Sequence, residues 1–183
     1  MKEVVIGITG GIAAYKVIDV ISSLNKKGIG VTCVVTPSAL NFVTKISLET
    51  ISGRAVISDM FDCNKSFSDV EHVSLADKAD LALIAPASAN TIAKLALGIA
   101  DNFLTTFMLA VTCPVILAPS MNDAMWNNAV TQKNILALIE RGYNIIEPGE
   151  GHLACGKIGQ GRFPSQEIIL NKVIETLNVH TNA

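Results

Sequence analysis

Asn122, His72 and Cys155 are the side chains best suited to do chemistry in this chain. Asn122 lies in Pro119-Ser120-Met121-Asn122-Asp123-Ala124-Met125-Trp126, a stretch that holds the only tryptophan. Its amide offers a donor and an acceptor without charge, which suits a carboxylate or a flavin edge. His72, in Glu71-His72-Val73-Ser74-Leu75, supplies an imidazole, a side chain that can take up or give a proton in catalysis. Cys155 lies in a glycine-rich polar run from Gly149 to Arg162, where a thiol can serve as proton donor or nucleophile. Each has a plainer explanation: a surface or capping histidine, an incidental thiol on a flexible loop, and core packing by Trp126 and its flanking methionines.

Three further clusters are of a kind that binds phosphate. In Thr9-Gly10-Gly11-Ile12-Ala13-Ala14-Tyr15-Lys16 the glycines permit a tight turn into a helix whose N–H groups can meet an anion. No Gly-Lys-Ser/Thr follows, so this is not a P-loop, and an ordinary βα turn explains it as well as an anion site. Ser88-Ala89-Asn90-Thr91 carries more hydrogen-bonding side chains than one helix cap requires. Thr36 and Ser38 form a comparable cluster. Three polar caps at three strand ends favour a nucleotide-like ligand over capping alone.

Those clusters must be positioned by the elements between them. Residues 3–9 are apolar and β-branched, as in a parallel strand covered on both faces. From Ile12 to about Lys27, Val17, Val20, Ile21 and Leu24 recur at helical spacing, and Gly28 ends the helix. A second strand spans Gly30–Val35, and a short helix containing Leu40 and Phe42 follows Thr36-Pro37-Ser38. Residues 46–70 read as a short helix and a surface excursion. Strands are expected at 80–85, 114–118 and 143–146, with helices at about 90–97, 102–111, 128–141 and 165–178. Residues 147–164 contain five glycines and two prolines, so no regular structure is expected there, only a lid-like flap. The alternation predicts an α/β protein, a three-layer doubly wound parallel sheet of Rossmann-like type, in one domain over residues 1–183.

Composition narrows the function classes. Net charge is −2 with no basic block, which argues against nucleic-acid binding. Neither a signal peptide nor a membrane-length apolar run is visible, so no membrane partner and a cytoplasmic setting are expected. Only 16% of residues are charged, against roughly 25% in typical soluble domains. A surface so poor in charge is best accounted for by burial between copies, and a homo-oligomer is expected. Cysteines at 33, 63, 113 and 155 show no C-x-x-C spacing, so no metal site is expected. Cys33 and Cys113 are expected to be inert core thiols.

Taken together, the first glycine turn, His72, Pro86-Ala87-Ser88-Ala89-Asn90-Thr91, the Asn122 stretch, Ala154-Cys155-Gly156 and Gly159-Gln160-Gly161-Arg162 resemble the homo-oligomeric flavin-containing cysteine decarboxylases. The resemblance runs from Val4 to about Pro164. It implies FMN held by Gly10, Gly11, Thr36, Ser38, Phe42, Ser88, Ala89, Asn90 and Thr91, at an interface of trimers that often assemble into dodecamers. It also implies His72 as base, Asn122 gripping the substrate carboxylate and Cys155 as proton donor. The implied substrate is a small molecule, phosphopantothenoylcysteine, decarboxylated to phosphopantetheine in coenzyme A biosynthesis. FMN oxidation to a thioaldehyde, loss of carbon dioxide and re-reduction of the enethiol are the implied steps. A peptidyl-cysteine decarboxylase and a noncatalytic regulatory flavoprotein subunit are the alternatives.

Two features depart from the family pattern. Lys157 stands where an acidic residue is common, and many bacterial relatives continue into a second domain, leaving this chain either a single-function enzyme or a fragment. The expected roles make one sharp prediction. Cys155→Ser should still release carbon dioxide but stop at the oxidised enethiol, and an unchanged yield of fully reduced thiol would remove Cys155 as donor.

Overall fold

The structure, a computed structural model, describes residues 1–60, 71–154 and 156–179. Its centre is a parallel five-stranded sheet of β1 (Glu3–Ile8), β2 (Gly30–Val35), β3 (Leu81–Ala87), β4 (Val115–Pro119) and β5 (Asn144–Ile145), in the order β2-β1-β3-β4-β5. The helices are α1 (Val17–Lys26), α2 (Lys45–Ser52), α3 (Glu71–Lys78), α4 (Ala89–Leu97), α5 (Phe103–Ala110), α6 (Asp123–Trp126), α7 (Ala129–Glu140) and α8 (Gln166–Val179). The expected doubly wound α/β class is the one observed.

Strand periodicity sorts the core into two layers. Val4, Ile6 and Ile8 of β1, with Leu81, Leu83 and Ala85 of β3, pack beneath α1, α2 and α8. Val5, Ala82, Ile84 and Leu117 face the other way, under α3, α4, α5 and α7. Because both faces are covered, the strands read as continuous apolar runs rather than alternating ones. Val17, Val20, Ile21 and Leu24 are the buried positions of α1, as their spacing predicts. Among the described residues no helix is long and apolar enough to cross a membrane.

Four expectations need correction. The helix expected from Ile12 divides into a 3-10 turn over Ile12–Lys16 and α1, because the chain leaves the glycine turn too tightly for a full α-helical start. The third strand runs on to Ala87 and includes Pro86. Residues 71–78 form a helix where none was expected. Residues 147–164 contain an antiparallel hairpin of β6 (Gly149–His152) and β7 (Ile158–Arg162). Glycine density argued against regular structure there, but ladder bonds use only backbone groups, and Gly151 (φ +142°) and Gly161 (φ +138°) tolerate the bends the hairpin makes.

Cys33 is a core residue as expected, and burial pushes its thiol up to about 12. Cys113 lies in the turn before β4, only partly buried, with its thiol raised to about 11 mainly by desolvation.

At the amino edge of the sheet the Asp80 carboxylate accepts the Glu3 N–H at 2.7 Å and the Lys2 ammonium at 3.1 Å. The bond from the Glu3 N–H, more than the lysine, holds the Asp80 carboxyl below the usual carboxylate range. A depressed folded-state value contributes stability above the unfolded pKa, and that contribution is lost as pH falls through the folded value. Asp80→Asn should therefore lower the urea midpoint at neutral pH and narrow the difference between midpoints at pH 7 and at the acid end. An identical acid dependence in wild type and variant would contradict this role.

Candidate active site

The strand order reverses between β1 and β3, and ligands of open α/β sheets bind outside the carboxyl ends of strands at such a point. A cavity of about 500 Å³ lies there, within the range of about 300–1,000 Å³ typical of small-molecule and cofactor sites. The first glycine turn, Ser88 and Ala89 after β3, and Ser120, Met121 and Asn122 after β4 contribute to its wall. The hairpin supplies His152 and Arg162.

Thr9 sets the geometry of the switch point. Its side chain is fully buried, its hydroxyl donates to the Pro86 carbonyl at 2.6 Å, and it accepts the Ser88 N–H at 2.9 Å. The ends of β1 and β3 are thereby tied together where the cavity begins. Ser88 then caps α4, accepting the Thr91 N–H at 3.3 Å while its hydroxyl lies 3.1 Å from that of Thr91. Two of the three polar side chains in this run therefore serve the cap itself.

Gly10 and Gly11 line the cavity, and the reason for glycine at 10 is spatial: a Cβ there would stand 2.6 Å from the Ser38 Cβ. The same closeness brings the segment after β2 against the first turn. Of the expected FMN contacts, Gly10, Gly11, Ser88 and Ala89 line the cavity. Thr36, Ser38, Phe42, Asn90 and Thr91 are not part of its wall; Thr36 and Thr91 are buried, and Phe42 is 44% exposed. A close glycine turn, the capped N-terminus of α4 and a largely apolar wall fit a flavin mononucleotide, with its flat apolar ring and its phosphate.

Asn122 caps α6, its Oδ1 accepting the Ala124 N–H at 2.9 Å. That bond fixes which end of the amide accepts and which donates. Trp126 is 3% exposed and belongs to the core, so the packing explanation holds for it, whereas Met121 and Met125 line the cavity. The hairpin is joined to this loop by a bond from the Met121 N–H to the Gly161 carbonyl at 3.0 Å. A Cβ at Gly161 would collide with the Met121 carbonyl oxygen, and one at Gly159 would stand 2.8 Å from the Asp123 Cβ. Asp123 Oδ1, buried by this approach, has no hydrogen-bond partner among the described residues.

His72 is not brought to the cavity of its own chain. It lies on α3, edge-on to Phe103 with ring centroids 6.4 Å apart. The Asp80 N–H bonds to the Glu3 carbonyl at 2.8 Å, which places the end of α3 at the amino edge of the sheet. His72 lies six residues before the last residue of that helix, about 9 Å along its axis at 1.5 Å per residue. Cys155 lies outside the described residues.

Sequence reasoning missed Lys16, Tyr15, Met121, His152 and Arg162 as wall residues. Lys16, Tyr15 and Arg162 stood inside the motifs that were singled out, but only their glycines and hydroxyls carried a recognisable chemical meaning. Among the described residues no carboxylate lines this cavity, and its charged side chains are Lys16 and Arg162.

The fold and this cavity define a doubly wound protein of the nucleotide-binding kind. The chain belongs to the Flavoprotein family, whose model matches residues 1–178. Among curated proteins it is 45% identical over 168 residues to the coenzyme A biosynthesis bifunctional protein CoaBC of Haemophilus influenzae, covering 92% of this chain and 42% of that one. The CoaBC of Bacillus subtilis is 43% identical over 169 residues, with 92% and 41% covered. The chain thus spans about two fifths of the length of these curated relatives. Among solved structures, a cysteine-to-serine mutant of PPC decarboxylase complexed with pantothenoylaminoethenethiol matches with a TM-score of 0.85 at 34% identity, covering 95% of this chain and 97% of that one. The FMN-dependent cysteine decarboxylase SpaF matches with a TM-score of 0.85 at 32% identity, covering 100% and 98%.

Thr9→Val would leave the Pro86 carbonyl and the Ser88 N–H without their partner in a buried setting. The expected cost is about 1–3 kcal/mol of unfolding free energy, together with weakened flavin binding. Chemical denaturation and flavin titration of the purified variant measure both, and unchanged values would show that the two strand ends do not depend on this hydroxyl.

Proposed function

We propose that this chain is an FMN-dependent carboxy-lyase that converts phosphopantothenoylcysteine to phosphopantetheine in coenzyme A biosynthesis. The observation that carries the reading is the switch-point cavity with Asn122 locked in its wall, in a chain that matches PPC decarboxylase over nearly its whole length. Gly10, Gly11, Ser88 and Ala89 hold the cofactor directly, with Thr36, Ser38, Phe42, Asn90 and Thr91 shaping the flanking strand ends. When bound, FMN supplies a two-electron oxidation of the thiol-bearing carbon and returns the same electrons, so no external redox partner is required.

The chain's own residues account for the rest. Asn122, oriented by the Ala124 N–H, directs its amide donor to the substrate carboxylate. A neutral donor orients that group without stabilising the charge that must leave. His72 takes a proton during the oxidation step, and Cys155 returns one at the end.

The distance of His72 from its own cavity favours a site completed by a second copy. Ile12 (59% exposed) and Met125 (49% exposed) leave an apolar rim on the cavity, as an interface would require. The assembly proposed is a homotrimer, alone or grouped into a dodecamer, in the cytoplasm.

Purified protein should be yellow and should release carbon dioxide from phosphopantothenoylcysteine faster than from a peptide ending in cysteine. His72→Asn and Asn122→Ala should each keep the flavin and lose turnover by about 100-fold or more. Co-assembly of the two variants should recover part of the activity if sites are shared between copies. A colourless protein that FMN cannot reconstitute, or a yellow one inert toward both substrates, refutes the assignment.

A further inference from the structure

Decarboxylation consumes a proton that the roles given to His72, Asn122 and Cys155 do not by themselves supply. The carboxylate leaves as neutral carbon dioxide, and the electron pair of the broken C–C bond ends in a new C–H bond at the same carbon. One proton is therefore taken from solvent in every turnover. The hydride removed in the oxidation step returns to the carbon it left, and the thiol proton accepted by His72 returns to the product thiolate, so neither is a source. Under the reading proposed above, Cys155 protonates the carbon and is left as a thiolate. That thiolate must regain a proton before the next substrate can react.

Among the described residues lining the switch-point cavity, His152 is the single histidine. An imidazole can take a proton on one ring nitrogen and release it from the other, whereas the Lys16 ammonium and the Arg162 guanidinium are donors only. His152 is exposed and still lines the cavity, so it meets water on one side and the reacting groups' chamber on the other. It ends β6, and just beyond it the chain turns back. The Leu153 N–H bonds to the Lys157 carbonyl at 2.8 Å and the Gly156 N–H to the Leu153 carbonyl at 2.9 Å. Cys155 is three residues on in sequence, a span of at most about 11 Å even for extended chain. The bond from Met121 to Gly161 ties this same hairpin to the loop of Asn122.

We infer that His152 is the proton-relay residue through which the solvent proton consumed in each turnover enters the cavity and restores the donor thiol. The inference rests on the decarboxylase reading. The relay passes one proton from water to the imidazole and one from the imidazole to the thiolate, so the histidine ends each cycle as it began and no further reactant is needed. Because the transfer follows the irreversible loss of carbon dioxide, it governs how fast the enzyme recovers and not how fast it captures and decarboxylates a substrate.

The test compares wild type with His152→Gln and His152→Asn, each loaded with FMN, on phosphopantothenoylcysteine. With enzyme in excess, one turnover should run at the wild-type rate and give fully reduced thiol, since Cys155 starts protonated. In steady state kcat should fall by about 10-fold or more, with KM falling alongside it and kcat/KM unchanged. Added imidazole should restore part of kcat. An unchanged kcat, an equal loss in kcat/KM and in the first turnover, or the absence of rescue by imidazole overturns the relay, the second of these being what a structural or substrate-binding role would produce. Release of the oxidised enethiol by the variants would place His152 in the protonation of carbon itself and also overturn it. Wild type that releases no carbon dioxide removes the decarboxylase reading and the relay together, whereas active wild type with indistinguishable variants removes the relay alone.

Discussion

The cavity depends on the Thr9 hydroxyl. Parallel strands on either side of a switch point send their helices to opposite faces of the sheet, so their ends diverge unless something spans them. Thr9 spans them with one atom, donating to Pro86 and accepting from Ser88. Pro86 lies near the end of β3 and Ser88 caps α4, so the bridge also orients the cap and the wall beside it. An apolar β-branched residue of the same shape would fill the space yet leave a buried carbonyl and a part-buried N–H without this partner.

The second constraint is the close approach of the hairpin to the loop after β4. Backbone meets backbone at Gly161 and Met121, and Gly159 lets Asp123 come nearer than a side chain would permit. Glycines that look like disorder along the chain are here the condition for tight packing. The hairpin is thereby placed so that Arg162 and His152 face the same cavity as Asn122.

Much of the fold was legible because both sheet faces are covered. Uninterrupted β-branched runs such as Val4-Val5-Ile6 suit strands buried on both faces, and the spacing of Val17, Val20, Ile21 and Leu24 marks one helical face. The hairpin was not legible, since its pairing is carried by backbone groups and leaves no side-chain period to read. The glycine turn and Ser88 were legible as elements of a binding site because they combine polarity with a strand end. Lys16 and Arg162 were not, because a lone cation in a sequence has no direction, and only the folded chain turns these two toward a shared cavity.

The charge pattern of that cavity and the chemistry proposed for it impose the same requirement. Decarboxylation discharges one end of the ligand and leaves the other end anionic. A site lined uniformly with cations would bind the substrate well and resist the reaction, because it would stabilise the ground-state carboxylate most. Binding strength has to come from the end that does not change. Under the proposed chemistry a neutral amide at Asn122 meets that requirement at the end that reacts, where a fixed cation would resist the loss of charge.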